Sequence, residues 1–263
     1  MREPNTLLGK GEVEKDVILI GGEDPPLVKK LCEEIMNFSL IRKNKGFHSF
    51  KCISYNTKVQ FTMVITGIGP SCTEIAFNEL AKLGARVFIR AGTSGALKKD
   101  LDLKSVVITK NALRLDGVSD LYIDTKFRAE ADNSIINALI EAANMLNIKY
   151  KTGATLTSSS FYAVGGRLLE DKVKFDGYSA NSLFKPPGFE VLEKALTQKN
   201  VLNVDMETAT LLVLSRLNEI KSGSVCGISN YIPWKKEEQI KHTEKSLNNA
   251  LSIAVKAIEL INT

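Results

Sequence analysis

Residues 61–97 read FTMVITGIGPSCTEIAFNELAKLGARVFIRAGTSGAL, and the fold turns on this stretch. The first six residues are apolar or β-branched and stop at Gly67-Ile68-Gly69, the pattern of a short strand ended by a glycine turn. From Thr73 to Leu83 the apolar residues Ile75, Ala76, Leu80 and Leu83 share one side at helical spacing, and Gly84 is placed to close that helix. Val87-Phe88-Ile89 then opens a second strand. Strand, helix and strand in this succession predict parallel neighbours with the helix packed across one face.

The alternation continues in both directions. Apolar and β-branched runs predict further strands at residues 17–20, 105–109, 152–158, 201–204 and 224–229. Helical spacing predicts helices at 27–36, 135–146 and 206–217, and a C-terminal helix with Leu247, Leu251, Ala254, Ile258 and Ile261 on one face. Residues 161–187 have weak periodicity and read as an insertion or flexible loop. The expected fold class is α/β: a single domain over residues 1–263, with a mixed, mainly parallel central sheet flanked by helices.

A chain of 263 residues is long enough to bury one large core. At 44% hydrophobic and 25% charged it has neither a disordered nor a membrane composition. No run reaches the roughly 20 apolar residues of a membrane span, and the polar N-terminus has no apolar core of signal-peptide length. A cytoplasmic location, with no membrane partner, is expected. The net charge of +5 is scattered in short runs such as Lys98-Lys99, which argues against a nucleic-acid partner. Cys32, Cys52, Cys72 and Cys226 form no CxxC pair and read as small residues of a reducing compartment. His48 and His242 are too few and too far apart for a His-rich metal site; His48, close to Lys45, reads as an interface or surface residue.

Sheets of this kind collect ligands outside the carboxyl ends of their strands. Three predicted strands end in glycine, at Gly21-Gly22, Gly67-Ile68-Gly69 and Gly92, where backbone can approach a ligand closely. Neither GxxxxGK[ST] nor GxGxxG occurs, so a P-loop and a dinucleotide fold are both unsupported. Arg90 follows three apolar residues at the expected end of its strand and needs an anionic partner. That partner is either a structural carboxylate or a bound oxyanion such as phosphate, for which Thr93, Ser94 and the backbone around Gly92 and Gly95 supply donors. A second group is NVDMET, residues 203–208, at a strand-to-helix junction. Asp205 and Glu207 are either first-turn acids facing the helix dipole or, for Glu207, an acceptor for adjacent hydroxyls such as those of ribose.

Five stretches carry a resemblance in order along the chain: TGIG at 66–69, FIRAGTSGAL at 88–97, LRLDGVS at 113–119, SSFYAVGGRL at 159–168 and VDMETATL at 204–211. Together they resemble the nucleoside phosphorylase-I family over nearly the whole chain, and its uridine phosphorylases most. The resemblance implies phosphorolysis, in which uridine and inorganic phosphate give uracil and ribose 1-phosphate with no cofactor and no metal. It implies phosphate-binding roles for Gly22, Lys45, Arg90 and Thr93. Ribose-binding roles fall on Thr93, Met206 and Glu207, and base-binding roles on Phe161, Gly165, Arg167 and Asn230. Arg90, Glu207 and Arg167 are then the catalytic set: phosphate and Glu207 stabilise an oxocarbenium-like sugar, and Arg167 the charge on the leaving base. The family builds its sites in homodimers, or hexamers of dimers, which implies that Lys45 is lent to a neighbour.

Several positions depart from the family pattern. The run GGEDPPLV carries one extra residue and puts Leu27 where a phosphate-binding arginine is usual. Lys45 stands for an arginine, Gly165 for a glutamine, Asp205 for a glutamate, and Asn230 for the aspartate of the purine enzymes. The usual N-terminal histidine is absent, since PNTLLG offers only Asn5 and Thr6. Two alternatives therefore stay open: a purine nucleoside phosphorylase acting on inosine or guanosine through Asn230, and a nucleoside-binding paralogue with weak or no turnover.

Overall fold

The computed structural model describes residues 2–21, 23–164, 167–169, 172–174, 186–232 and 238–263. The strand expected at 17–20 is β1 (Asp16–Ile20), followed by α1 (Pro25–Glu33) and a hairpin of β2 (Met36–Asn44) and β3 (Phe47–Ser54). The unit at 61–97 forms β4 (Gln60–Ile65), α2 (Pro70–Lys82) and β5 (Val87–Ala96). Then come β6 (Val106–Leu115), β7 (Ala129–Glu130), α3 (Asn133–Met145) and β8 (Tyr150–Ser158). The last part holds β9 (Arg167–Leu169), β10 (Lys172–Lys174), α4 (Pro187–Thr197), β11 (Val201–Asp205), α5 (Thr208–Leu217), β12 (Lys221–Tyr231) and α6 (Glu238–Ile261).

β5 organises the sheet. It pairs in parallel with β1 on one side and β12 on the other, and its end also pairs antiparallel with β11. From β12 the ladder passes through β6 and β8 to β11 and so returns to β5, closing a five-strand ring. β1, β4, β3 and β2 extend from β5 as an open wing. Alternation along β1 shows why both faces need covering. Ile18 and Ile20 join the core formed with α1, α3 and α6, whereas Val17 and Leu19 join the one formed with α2. No helix among the described residues is long and apolar enough to cross a membrane.

The α/β reading holds; within 161–187, read as a loop, β9 and β10 pair antiparallel as a separate two-stranded sheet, and two further local differences stand out. The helix expected at 27–36 stops at Glu33, and Met36 already belongs to β2. The β2–β3 turn consists of Lys45 and Gly46 at φ of 47° and 88°. Two-residue hairpin turns need such angles but usually advertise them with Asn-Gly or Asp-Gly. The second difference concerns Arg90. AGTSGA has the small residues of a turn, yet it is strand through Ala96, because β12 and β11 take up its backbone hydrogen bonds. Arg90 is therefore in mid-strand and not at a strand end.

Candidate functional site

A cavity of about 550 Å³ opens where the second half of β5 meets the ends of β11 and β12 and the residues that follow β1 and β8. That volume suits a small-molecule ligand. Arg90, Thr93, Phe161, Met206, Glu207 and Asn230 all line it, so the ring brings together residues up to 140 positions apart in the sequence (230 − 90).

The pleat of β5 puts Arg90, Gly92 and Ser94 on one face. Arg90 is almost fully buried. Its Nε donates to Asp205 Oδ2 at 2.9 Å and its Nη2 to Glu207 Oε2 at 2.5 Å. Nη1 is buried and makes no hydrogen bond. Of the two partners left open by the sequence, the structure gives Arg90 internal carboxylates. The glycine two residues on is required by this geometry: a Cβ at Gly92 would lie 2.2 Å from Nη1. Asp205 is held in turn by Thr157 Oγ1 at 2.7 Å and Thr208 Oγ1 at 2.5 Å, so it positions the guanidinium. Glu207 stands at the N-terminal boundary of α5 without capping it, and its other oxygen accepts the Gly69 N–H at 2.7 Å. Burial pushes the Glu207 carboxyl above the usual carboxylate range against the pull of Arg90. Ser94 accepts from Asn203 Nδ2 at 2.9 Å, and Asn203 Oδ1 accepts from Thr155 at 2.8 Å. This ladder makes Ser94 part of the buried scaffold.

Thr93, on the other face of β5, has an occupant that the sequence reading did not foresee. Its N–H and its hydroxyl both donate to Glu23 Oε1, at 3.0 and 2.7 Å. Burial pushes the Glu23 carboxyl upward, opposed by the Thr93 hydrogen bonds and the charge of Arg90. Its one visible signal was an acid inside the lengthened glycine run GGEDPP. Leu27 packs against the apolar core from α1 and brings no charge to the site. Among the described residues lining the cavity, Arg90 is thus the one cation beside three carboxylates, Glu23, Asp205 and Glu207.

Asn230 is buried, with Oδ1 accepting from Ser229 Oγ at 3.0 Å. Phe161 is partly exposed and packs edge-on against Tyr162, ring centres 5.2 Å apart. Gly22, Gly165 and the side chain of Arg167 lie outside the described residues. Lys45 sits at the tip of the β2–β3 hairpin, where Nζ donates to Asn5 Oδ1 at 3.0 Å, and it does not line the cavity of its own chain. The LRLDGVS stretch proves to be a brace. Arg114 holds Ser119 and Asp120 at 2.9 and 2.6 Å, and Asp116 accepts from Ser119 and from Thr210 of α5. Cys32, Cys52 and Cys226 are buried and Cys72 half-buried, all as free thiols.

The family model described as the phosphorylase superfamily matches residues 16–259. The uridine phosphorylase of Thermococcus kodakarensis is 34% identical over 219 residues, covering 83% of this chain and 73% of that protein. Among solved structures, uridine phosphorylase from Vibrio fischeri superposes with a TM-score of 0.80 at 22% identity, covering 100% of this chain and 97% of the other. Purine nucleoside phosphorylase from Toxoplasma gondii gives 0.77 at 24% identity, covering 98% and 97%. At these identities the two structures establish the shared fold.

Proposed function

Because this chain belongs to the phosphorylase superfamily, we propose that it cleaves uridine with inorganic phosphate, releasing uracil and ribose 1-phosphate. The observation that carries this reading is the Arg90–Glu207 pair on the wall of the cavity. An arginine can exchange a carboxylate for a phosphate at little loss, since both accept its planar donors in charge-assisted bonds. Phosphate at Arg90 frees Glu207 to accept the ribose hydroxyls. A phosphate oxygen then bonds to C1′ as the C1′–N bond breaks, that bond's electron pair leaves on the base, and the base takes up the proton that the hydrogen phosphate gives up. Glu207 and phosphate stabilise the cationic sugar between these events, and Met206 and Phe161 supply apolar contact for sugar and base. The Thermococcus kodakarensis relative supports uridine as the substrate. Asn230 keeps a 6-oxopurine as the second reading: its amide can hydrogen-bond N7 of a purine but cannot supply a proton as an acid.

Lys45 is proposed to act in a neighbouring subunit, as the family resemblance implies; it does not line its own chain's cavity. This makes the working unit a homodimer or a larger assembly of dimers.

Uridine and inosine, each with and without phosphate, test the substrate. Uracil release that requires phosphate, with ribose 1-phosphate formed in equal amount, is expected. Hypoxanthine as the product transfers the assignment to purines, and uridine-induced thermal stabilisation without turnover leaves a binding protein. Gly92→Ala tests the geometry of the pair. The added methyl meets the ion-paired Arg90 guanidinium at 2.2 Å and must push that group aside. The shifted guanidinium is expected to lower kcat/KM for uridine roughly tenfold to a hundredfold; an unchanged value would remove the placement of Arg90 from the mechanism.

A further inference from the structure

The geometry points to Glu23 as a built-in occupant of the phosphate subsite, a residue that inorganic phosphate must displace and that sets the enzyme's affinity for it. The inference rests on the reading of Thr93 and Arg90 as the phosphate site. Both donors that Thr93 offers, its N–H and its hydroxyl, already converge on one oxygen of Glu23, at 3.0 and 2.7 Å. Two anions cannot share those two hydrogens.

The topology explains how Glu23 gets there. β1 runs parallel to β5 with Ile20 opposite Ala91, so the chain leaving β1 passes alongside Gly92 and Thr93. The longer run GGEDPP carries an acid to that level before Pro25 starts α1. Charge counting points the same way. With Glu23 ionised, the cavity wall holds three carboxylates and one guanidinium among the described residues, a poor receptor for a further anion. With Glu23 swung away, Thr93 is free, and the wall carries one negative charge fewer.

Inorganic phosphate is the probe. Its dissociation constant is measured by calorimetry for the wild type, Glu23→Ala and Glu23→Gln, and its KM is measured in the uridine reaction. Glu23→Ala is expected to bind phosphate roughly tenfold tighter or more, since charge-assisted hydrogen bonds no longer compete. Glu23→Gln, which keeps an acceptor without the charge and guards against a folding defect, is expected to fall between. Unchanged or weaker phosphate binding in both variants overturns the proposal, and phosphorolysis by the wild type can stand regardless. Tighter phosphate binding with no uridine cleavage in any of the three proteins supports the proposal and sinks the uridine reading. Base release that needs no phosphate and disappears in Glu23→Ala also overturns it, because Glu23 would then be activating water.

Discussion

Arg90→Ala is expected to abolish phosphate-dependent cleavage and to cost about 3–5 kcal/mol of stability, the loss typical of removing one partner from a buried ion pair. In a chain of this size that is a fall in Tm on the order of 10 °C. The cause is what stays behind: Asp205 and Glu207 remain buried without the cation they both contact. The pH dependence identifies this cause. Burial already raises the Glu207 pKa while Arg90 opposes the rise, so without Arg90 it moves higher still. The penalty for a buried charge applies at pH above the raised folded value. It is absent below the unfolded value, where the group is protonated in both states. The gap between Arg90→Ala and wild type should therefore narrow as pH falls from neutrality into the ordinary carboxylate range. Denaturant titrations at several pH values read this directly. A gap that does not change with pH would mean the loss comes from packing, and an activity that keeps its phosphate dependence would remove Arg90 from the site.

The second large effect is expected where the C-terminal helix crosses the sheet. Gly227 lies in β12 where α6 crosses, and a Cβ there would sit 2.1 Å from the Ser246 carbonyl oxygen and 2.4 Å from the carbonyl carbon. Those are backbone atoms of a long helix, so no rotamer change relieves the contact. Gly227→Ala should cost about 3 kcal/mol or more, or prevent soluble accumulation altogether. A urea midpoint within experimental error of wild type would show that α6 can lift from the sheet. The contrast with Gly92→Ala is informative, because there the same added methyl meets the end of a side chain and the effect should fall on activity.

Much of the fold is legible in the sequence because it is written in local periods. The continuous apolar run of β1 and the helical spacing of α2 and α6 each report surface that must be buried, and they identify the elements without knowledge of their neighbours. The motif residues are legible too, since Arg90, Thr93, Met206 and Glu207 stand in stretches whose order along the chain resembles a known family. The hairpin was hidden by a Lys-Gly turn that carries no strong local signal, and the second half of β5 by residues that individually favour turns.

Some properties depend on what lies across the fold, and no local pattern encodes them. Closure of the ring brings Asp205 and Glu207 onto Arg90 from 115 and 117 residues away, and the guanidinium they fix makes residue 92 a glycine. The parallel register of β1 and β5 delivers Glu23 to Thr93. Sequence alone determined that there would be an α/β sheet with an arginine and a carboxylate available for an anion and a sugar. Only the tertiary structure decided that these groups contact one another, because burial leaves each charge no water and the nearest opposite charge becomes its partner.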